Sequence, residues 1–122
     1  MGIEVLVVED SATMRSLIAS TIETIEDVVV TGVASGFEAL KELPRRKYEL
    51  IITDINMPDI NGLELIRFIR ENERYKDTPL IIISTESSKR DRERGLALGA
   101  NAYLIKPFEP HELIEAIERM IG

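Results

Sequence analysis

Five short apolar runs alternate with five stretches of helical periodicity, and this alternation limits the folds that the chain can adopt. Each run is rich in β-branched residues, and the segment after it has apolar residues three and four positions apart. The runs are residues 5–8, 28–33, 50–53, 80–83 and 102–105. Because they are apolar at nearly every position, they are typical of parallel strands covered on both faces. Right-handed connections then predict a flavodoxin-like, doubly wound α/β fold of five strand–helix units, with a parallel sheet in the order 2-1-3-4-5.

Capping and breaking residues predict where the helices begin and end. Ser35 and Glu38 have the spacing of a capping box at the start of the second helix, and Pro44 predicts its end. Ser88 is expected to cap the fourth helix, and Gly99 is expected to stop it.

Length and composition predict one domain over residues 1–122 and exclude several classes of function. The formal net charge of −7 argues against direct binding to nucleic acid. No apolar run is long enough to span a bilayer, so membrane insertion is not expected. The N-terminal residues lack the basic and apolar regions of a signal peptide, and the chain has no cysteine for disulfides or thiolate chemistry. A cytoplasmic location is therefore expected.

Charged and hydroxyl side chains follow four of the five predicted strands. Glu9 and Asp10 follow the first strand, Asp54 the third, Ser84 the fourth and Lys106 the fifth. The carboxyl ends of parallel strands meet at one edge, near the switch point between strands 1 and 3, so these side chains should converge. Crowded carboxylates need a cation, and hard oxygen ligands favour Mg²⁺. Together with an ammonium and a hydroxyl donor, this set predicts phosphoryl transfer to a carboxylate nucleophile, Asp54.

Three other functions are compatible with the fold but fit these residues less well. A metal-dependent hydrolase of the aspartyl-phosphate type needs a general acid two residues after its nucleophile, and Asn56 cannot serve as one. A flavin or nucleotide module would need a glycine-rich phosphate loop after the first strand, where Glu9 and Asp10 stand instead. A purely structural docking domain would not need this charge cluster.

Four motifs resemble the receiver domain of the response regulators of two-component signalling. They are Glu9-Asp10, residues 53–62 (TDINMPDING), residues 84–86 (STE) and residues 106–108 (KPF). The similarity covers the whole chain, and the motif set is specific. The chain is most similar to the single-domain, CheY-like chemotaxis regulators, because nothing follows the last predicted helix.

The resemblance implies a role for each residue of the motif set in metal binding. Asp54 would be the phosphoacceptor, forming an aspartyl phosphate. Asp10 and Asp54 would bind Mg²⁺ through their carboxylates, Asn56 would bind it through its backbone carbonyl, and Glu9 would reach it through water.

The same resemblance implies how the phosphoryl group is held and lost. Ser84 would donate a hydrogen bond to the phosphoryl group, and Lys106 would form an ion pair with it. The peptide bond between Lys106 and Pro107 would be cis. Asn56 and Glu86 would flank the attacking water and tune dephosphorylation, which is expected to be moderate to fast. The chain would be a signalling switch that assists its own Mg²⁺-dependent phosphorylation and dephosphorylation, not an enzyme with a separate substrate.

Tyr103 would be the aromatic switch that reports phosphorylation to a partner. Ser84 would move toward the phosphoryl group, and Tyr103 would rotate into the vacated space. Arg92, Ile105 and Arg119 would contact the partner on a surface formed by helix 4, strand 5 and helix 5. A sensor histidine kinase would donate the phosphoryl group. The output would be a flagellar motor switch component or, alternatively, a DNA-binding or enzymatic domain of a larger response regulator.

Overall fold

Strands and helices alternate along the chain as the sequence predicts. The computed structural model describes residues 2–85 and 89–121. In chain order the elements are β1 (Ile3–Val8), α1 (Ala12–Ile22), β2 (Val28–Val33), α2 (Gly36–Glu42), β3 (Leu50–Thr53), α3 (Gly62–Glu71), β4 (Leu80–Ser84), α4 (Lys89–Ala97), β5 (Ala102–Ile105) and α5 (Pro110–Ile121). None of the helices in these described ranges is both long and apolar enough to cross a membrane.

The five strands form one parallel sheet in the order β2-β1-β3-β4-β5, which confirms the predicted topology. Val8, the last residue of β1, is in register with Val33 of β2 and with Thr53 of β3. The residues that follow β1 and β3 therefore leave the sheet side by side. A hydrogen bond of 3.1 Å from Asp54 N to Val8 O extends this pairing by one residue beyond β3.

Alternate residues of the strands face two separate cores, one on each side of the sheet. On β1, Leu6 and Val8 belong to the core that includes residues of α2 and α3. Val5 and Val7 belong to the other core, which includes residues of α1 and α5. Since both faces of the sheet are covered, the strands can be apolar throughout, as the sequence shows.

The helix boundaries follow the local signals, with one difference at α2. Ser35 Oγ accepts from Glu38 N at 3.2 Å, as in a capping box. Glu38 Oε1, however, accepts from Ala34 N at 3.3 Å, one residue before the position that a capping box uses. Gly99 follows α4 with a φ of 115°, a conformation that favours glycine, which confirms it as the stop. Ser88, the expected cap of α4, lies outside the described residues.

Candidate functional site

Three carboxylates lie together at the carboxyl edge of the sheet. Glu9, Asp10 and Asp54 each offer an oxygen, and these oxygens all lie within 4.8 Å of one another. Glu9 and Asp54 are buried, with 2% and 7% of their surfaces exposed, whereas Asp10 is exposed. This convergence follows from the register of β1 and β3.

Lys106 bridges the two buried carboxylates. Its ammonium donates to Glu9 Oε1 at 2.5 Å and to Asp54 Oδ2 at 2.8 Å. Its backbone N donates to Ser84 O at 2.8 Å, so β4 and β5 remain paired up to the residue that carries the ammonium. The peptide bond to Pro107 is cis, as the resemblance implies. The three carboxylates and Lys106 therefore converge, as the sequence predicts.

Burial and the contacts with charged neighbours shift the pKa values of Glu9 and Lys106 in opposite directions. Burial raises the pKa of Glu9 above its ordinary value, although the hydrogen bonds from Lys106 and from Ser11 N oppose this shift. Burial alone would lower the pKa of Lys106, but its hydrogen bonds to Asp54 and Glu9, with their charges, outweigh burial and raise it. The lysine is thus a fixed positive charge at neutral pH.

The donor set fits a hard divalent cation. Three carboxylates against one ammonium leave two negative charges without compensation, which a divalent cation would balance. All the side-chain ligands offered are carboxylate oxygens, and Mg²⁺ prefers such oxygens while keeping several waters. Asp10, which is exposed, lines a cleft of about 350 Å³ together with the exposed Asn56, so the cluster opens to solvent.

The backbone after Asp54 is held by contacts that the sequence did not predict. Asn56 N donates to Asp54 Oδ1 at 3.1 Å, and Thr53 Oγ1 donates to Asp54 O at 2.9 Å. Gly62 lies so close to this segment that a Cβ there would be 2.2 Å from Asp54 O and 2.6 Å from Ile55 Cα. Only glycine permits this approach. The motif at residues 53–62 includes Gly62, but the sequence does not show which atoms it contacts.

Two further residues hold Glu9. Ser11 N donates to Glu9 Oε2 at 3.0 Å, while the Ser11 side chain caps α1 by accepting from Met14 N. Arg15, one turn into α1, donates from Nη1 to Glu9 O at 2.8 Å. Arg15 was not among the predicted site residues, because its contact is with a backbone oxygen and leaves no motif.

The remaining predicted site residues lie near this cluster or on the side of the molecule formed by α4, β5 and α5. Ser84 ends β4 and is fully buried. Tyr103 is half-buried on β5, and the Arg92 guanidinium of α4 lies 5.9 Å from its ring centroid. Ile105 is half-buried at the end of β5, and Arg119 is exposed on α5. Glu86 lies outside the described residues.

The fold, the acidic cluster and the bridging lysine together define one class of protein. A match to the model of a known family identifies that class. The family model for the response regulator receiver domain matches residues 5–118. The chain therefore belongs to the response regulator receiver domain family.

Among its relatives is a chemotaxis protein CheY homolog of Campylobacter jejuni, 38% identical over 120 residues that cover 98% of this chain and 92% of the relative. The solved structure of the chemotaxis response regulator CheY4 of Vibrio cholerae superposes with a TM-score of 0.91 at 33% identity, covering 99% of this chain and 100% of that one. The receiver domain of the sensor histidine kinase PA1611 of Pseudomonas aeruginosa superposes with a TM-score of 0.90 at 34% identity, covering 100% of this chain and 99% of that one. That structure has a magnesium ion coordinated in its active-site cleft.

Proposed function

We propose that this receiver domain is a phosphorylation switch in which Asp54 accepts a phosphoryl group from a sensor histidine kinase. The observation that carries the proposal is the position of Lys106, whose ammonium contacts Asp54 and Glu9 inside a cluster of three carboxylates. A lysine buried for pairing alone would need one carboxylate. Three carboxylates of which two are buried leave an excess of negative charge that suits a metal ion and a transferred phosphoryl group.

In the proposed reaction, a carboxylate oxygen of Asp54 attacks phosphorus while the bond from phosphorus to the histidine nitrogen of the donor breaks. The electron pair of that bond stays on the donor nitrogen, and the imidazole leaves in its neutral form because its other ring nitrogen carries the proton. Lys106 already contacts Asp54 Oδ2 at 2.8 Å, so a small shift of its ammonium would place it against the phosphoryl oxygens. Ser84, at the end of β4, would donate a hydrogen bond from its hydroxyl to one of these oxygens.

Mg²⁺ would be held by Asp10 and Asp54, by the backbone carbonyl of Asn56 and by Glu9 through water. When bound, it neutralises charge on the phosphoryl oxygens. The carboxylate oxygens that lie within 4.8 Å of one another support this assignment.

The output would be a change in the surface formed by α4, β5 and α5. The Tyr103 ring lies against α4, where a Cβ added to Gly95 would be 3.6 Å from it, and Arg92 stacks over its face. Movement of Ser84 toward the phosphoryl group would leave room for Tyr103 to rotate inward, and Arg92 would lose its ring contact. Ile105 and Arg119 would complete the surface that a partner reads.

The partner in this proposal is a flagellar motor switch component in the cytoplasm, since chemotaxis proteins are among the relatives. The alternative is a receiver domain that belongs to a larger response regulator with a DNA-binding or enzymatic output domain. The lifetime of the phosphorylated protein separates the two. Asn56 and Glu86 are proposed to leave a path for water, so loss of the phosphoryl group should be moderate to fast. Persistence for many hours in Mg²⁺ would favour the alternative.

Labelled acetyl phosphate tests the reaction directly. The native protein should take up one phosphoryl group in an Mg²⁺-dependent manner, and Asp54→Ala should take up none. Asp77→Ala is the matched control, because Asp77 is an exposed aspartate that precedes β4, at the opposite edge of the sheet. Labelling of Asp54→Ala at the native rate would refute Asp54 as the acceptor.

A further inference from the structure

We propose that Asp59 is a positioning residue, which holds the loop between β3 and α3 against the first turn of α2 and thereby positions Asn56 for Mg²⁺. This inference rests on the proposed function, because it takes the Asn56 carbonyl as a metal ligand. It adds a contact between the metal site and a helix that supplies no ligand.

Asp59 uses both carboxylate oxygens to join two parts of the chain that are far apart in sequence. Oδ1 accepts from Gly36 N at 3.1 Å and from Ile60 N at 2.8 Å, and Oδ2 accepts from Phe37 N at 2.8 Å. Gly36 and Phe37 begin α2, where backbone N–H groups have no partner within the helix. The carboxylate therefore satisfies two of these donors from a loop more than twenty residues away.

The neighbouring residue makes a second, apolar contact between the same loop and the same helical turn. A Cβ added to Gly36 would lie 2.2 Å from Ile60 Cγ1 and 2.7 Å from Ile60 Cδ1. Ile60 therefore packs directly on the glycine backbone and also joins the core on the α2 and α3 side of the sheet. Gly36 is buried, so a larger side chain there must displace Ile60.

These contacts restrict a short loop that starts at the phosphoacceptor. At its beginning Asn56 N is bound to Asp54 Oδ1, and at its end Gly62 N donates to Ile55 O at 2.7 Å. Asp59 lies three residues after Asn56 and binds the middle of the loop to α2, which is outside the loop. Hydrogen bonds from Phe37 N, and then from Ile60 N and Gly36 N, overcome desolvation and lower the pKa of Asp59 to about 2. The carboxylate therefore keeps its charge, and its acceptor capacity, at neutral pH.

Mg²⁺ binding to the full chain, measured by isothermal titration calorimetry, tests the inference from both sides of the contact. Asp59→Ala removes the acceptors, and Gly36→Ala displaces Ile60 while improving the helix propensity of α2. Both should weaken Mg²⁺ binding, Asp59→Ala by about 10-fold, since loss of a residue that orients a metal ligand typically costs 10–100-fold. Asp59→Asn keeps one acceptor oxygen and should be intermediate.

Glu38→Ala is the matched control. Glu38 also supports the start of α2, by accepting from Ala34 N, a hydrogen bond that lies outside the loop between β3 and α3. We expect its Mg²⁺ affinity to stay within twofold of native. Equal weakening in Glu38→Ala would mean that general loss of α2 is responsible, and the inference would be wrong. Unchanged affinity in both Asp59→Ala and Gly36→Ala would also overturn it.

The rate of phosphorylation by acetyl phosphate distinguishes this inference from the proposed function. In Asp59→Asn the Mg²⁺ concentration for half-maximal rate should rise, while the rate at saturating Mg²⁺ should return to the native value. A reduced rate at saturating Mg²⁺ would contradict a purely positioning role. If native protein binds Mg²⁺ but is not phosphorylated, the proposed function fails, and the calorimetric comparison still decides the role of Asp59.

Discussion

Replacing Lys106 with methionine would remove the cation between two buried carboxylates and keep a side chain of similar length. The two acceptor side chains, Glu9 and Asp54, are only 2% and 8% exposed. Breaking a buried ion pair from one side costs about 3–5 kcal/mol, because the remaining charge stays desolvated without its partner. Lys106 is itself 11% exposed, so some water reaches the site. We therefore expect Lys106→Met to lower the free energy of unfolding by about 3 kcal/mol at pH 7 without divalent cations.

Equilibrium urea unfolding followed by far-ultraviolet circular dichroism measures this loss, since the chain has no tryptophan for fluorescence. Lys89→Met is the matched control. Lys89 pairs with Glu93 at 3.9 Å, and the two side chains are 89% and 65% exposed. Exposed pairs contribute at most about 1 kcal/mol, so the control should stay close to native.

Two conditions should narrow the difference between native protein and Lys106→Met. Mg²⁺ at about 100 times its Kd for Lys106→Met stabilises that variant by about 2.7 kcal/mol. The difference should narrow because Mg²⁺, without the ammonium beside the carboxylates, should bind the variant more tightly than native protein and so stabilise it more. Because the pKa of Lys106 is raised above 10.5, its contribution is complete below that pH and is lost as the pH rises through the raised value. Metal-free Lys106→Met protein within about 0.5 kcal/mol of native at pH 7 would refute this reasoning.

Three further changes test separate parts of the molecule. Gly62→Ala should lower the free energy of unfolding by at least about 2 kcal/mol, because its Cβ would lie 2.2 Å from backbone. A Cβ at Gly32 would come no closer than 3.1 Å to the Arg15 side chain, so Gly32→Ala should lower the free energy of unfolding by less. The pKa of Asp59 is lowered from 3.8 to about 2, so the stabilisation by its carboxylate is complete above pH 3.8 and is lost toward pH 2. In Asp59→Asn the free energy of unfolding should therefore depend less steeply on pH between these values. An unchanged dependence on pH would count against the contact between Asp59 and α2. Beryllofluoride should tighten binding to a motor switch component on the order of 5–150-fold, and coupling that survives intact in Ser84→Ala would show that the proposed route through Ser84 is wrong.

The sequence predicted the fold and the members of the charge cluster because both follow from simple regularities. Apolar runs that alternate with helical periods define the sheet, and residues at the ends of parallel strands must meet at one edge. Asp54 and Lys106 could be paired on that ground alone, although they are 52 residues apart.

Contacts that depend on the path of a loop could not be predicted in this way. Asp59 stands in a segment with no periodicity, and its partners on α2 are more than twenty residues distant. The closeness of Gly62 to Asp54 O is likewise a property of the folded backbone. Asn61 is an intermediate case: it caps α3 by accepting from Leu63 N, and an asparagine three residues before Glu64 was a usable signal for that cap.

The way in which α4 packs on the sheet affects how receiver domains can acquire different partners. Of the nine residues in Lys89–Ala97, only Gly95 is buried, and a Cβ there would lie 2.5 Å from Ile82 Cδ1. Gly95 thus brings the helix backbone close to the sheet, whereas seven of the other eight residues are exposed and contribute little to the stability of the fold. Substitutions at those positions can change charge and shape with small effects on folding. New partners can therefore be acquired through α4 while the chemistry at Asp54 is left untouched.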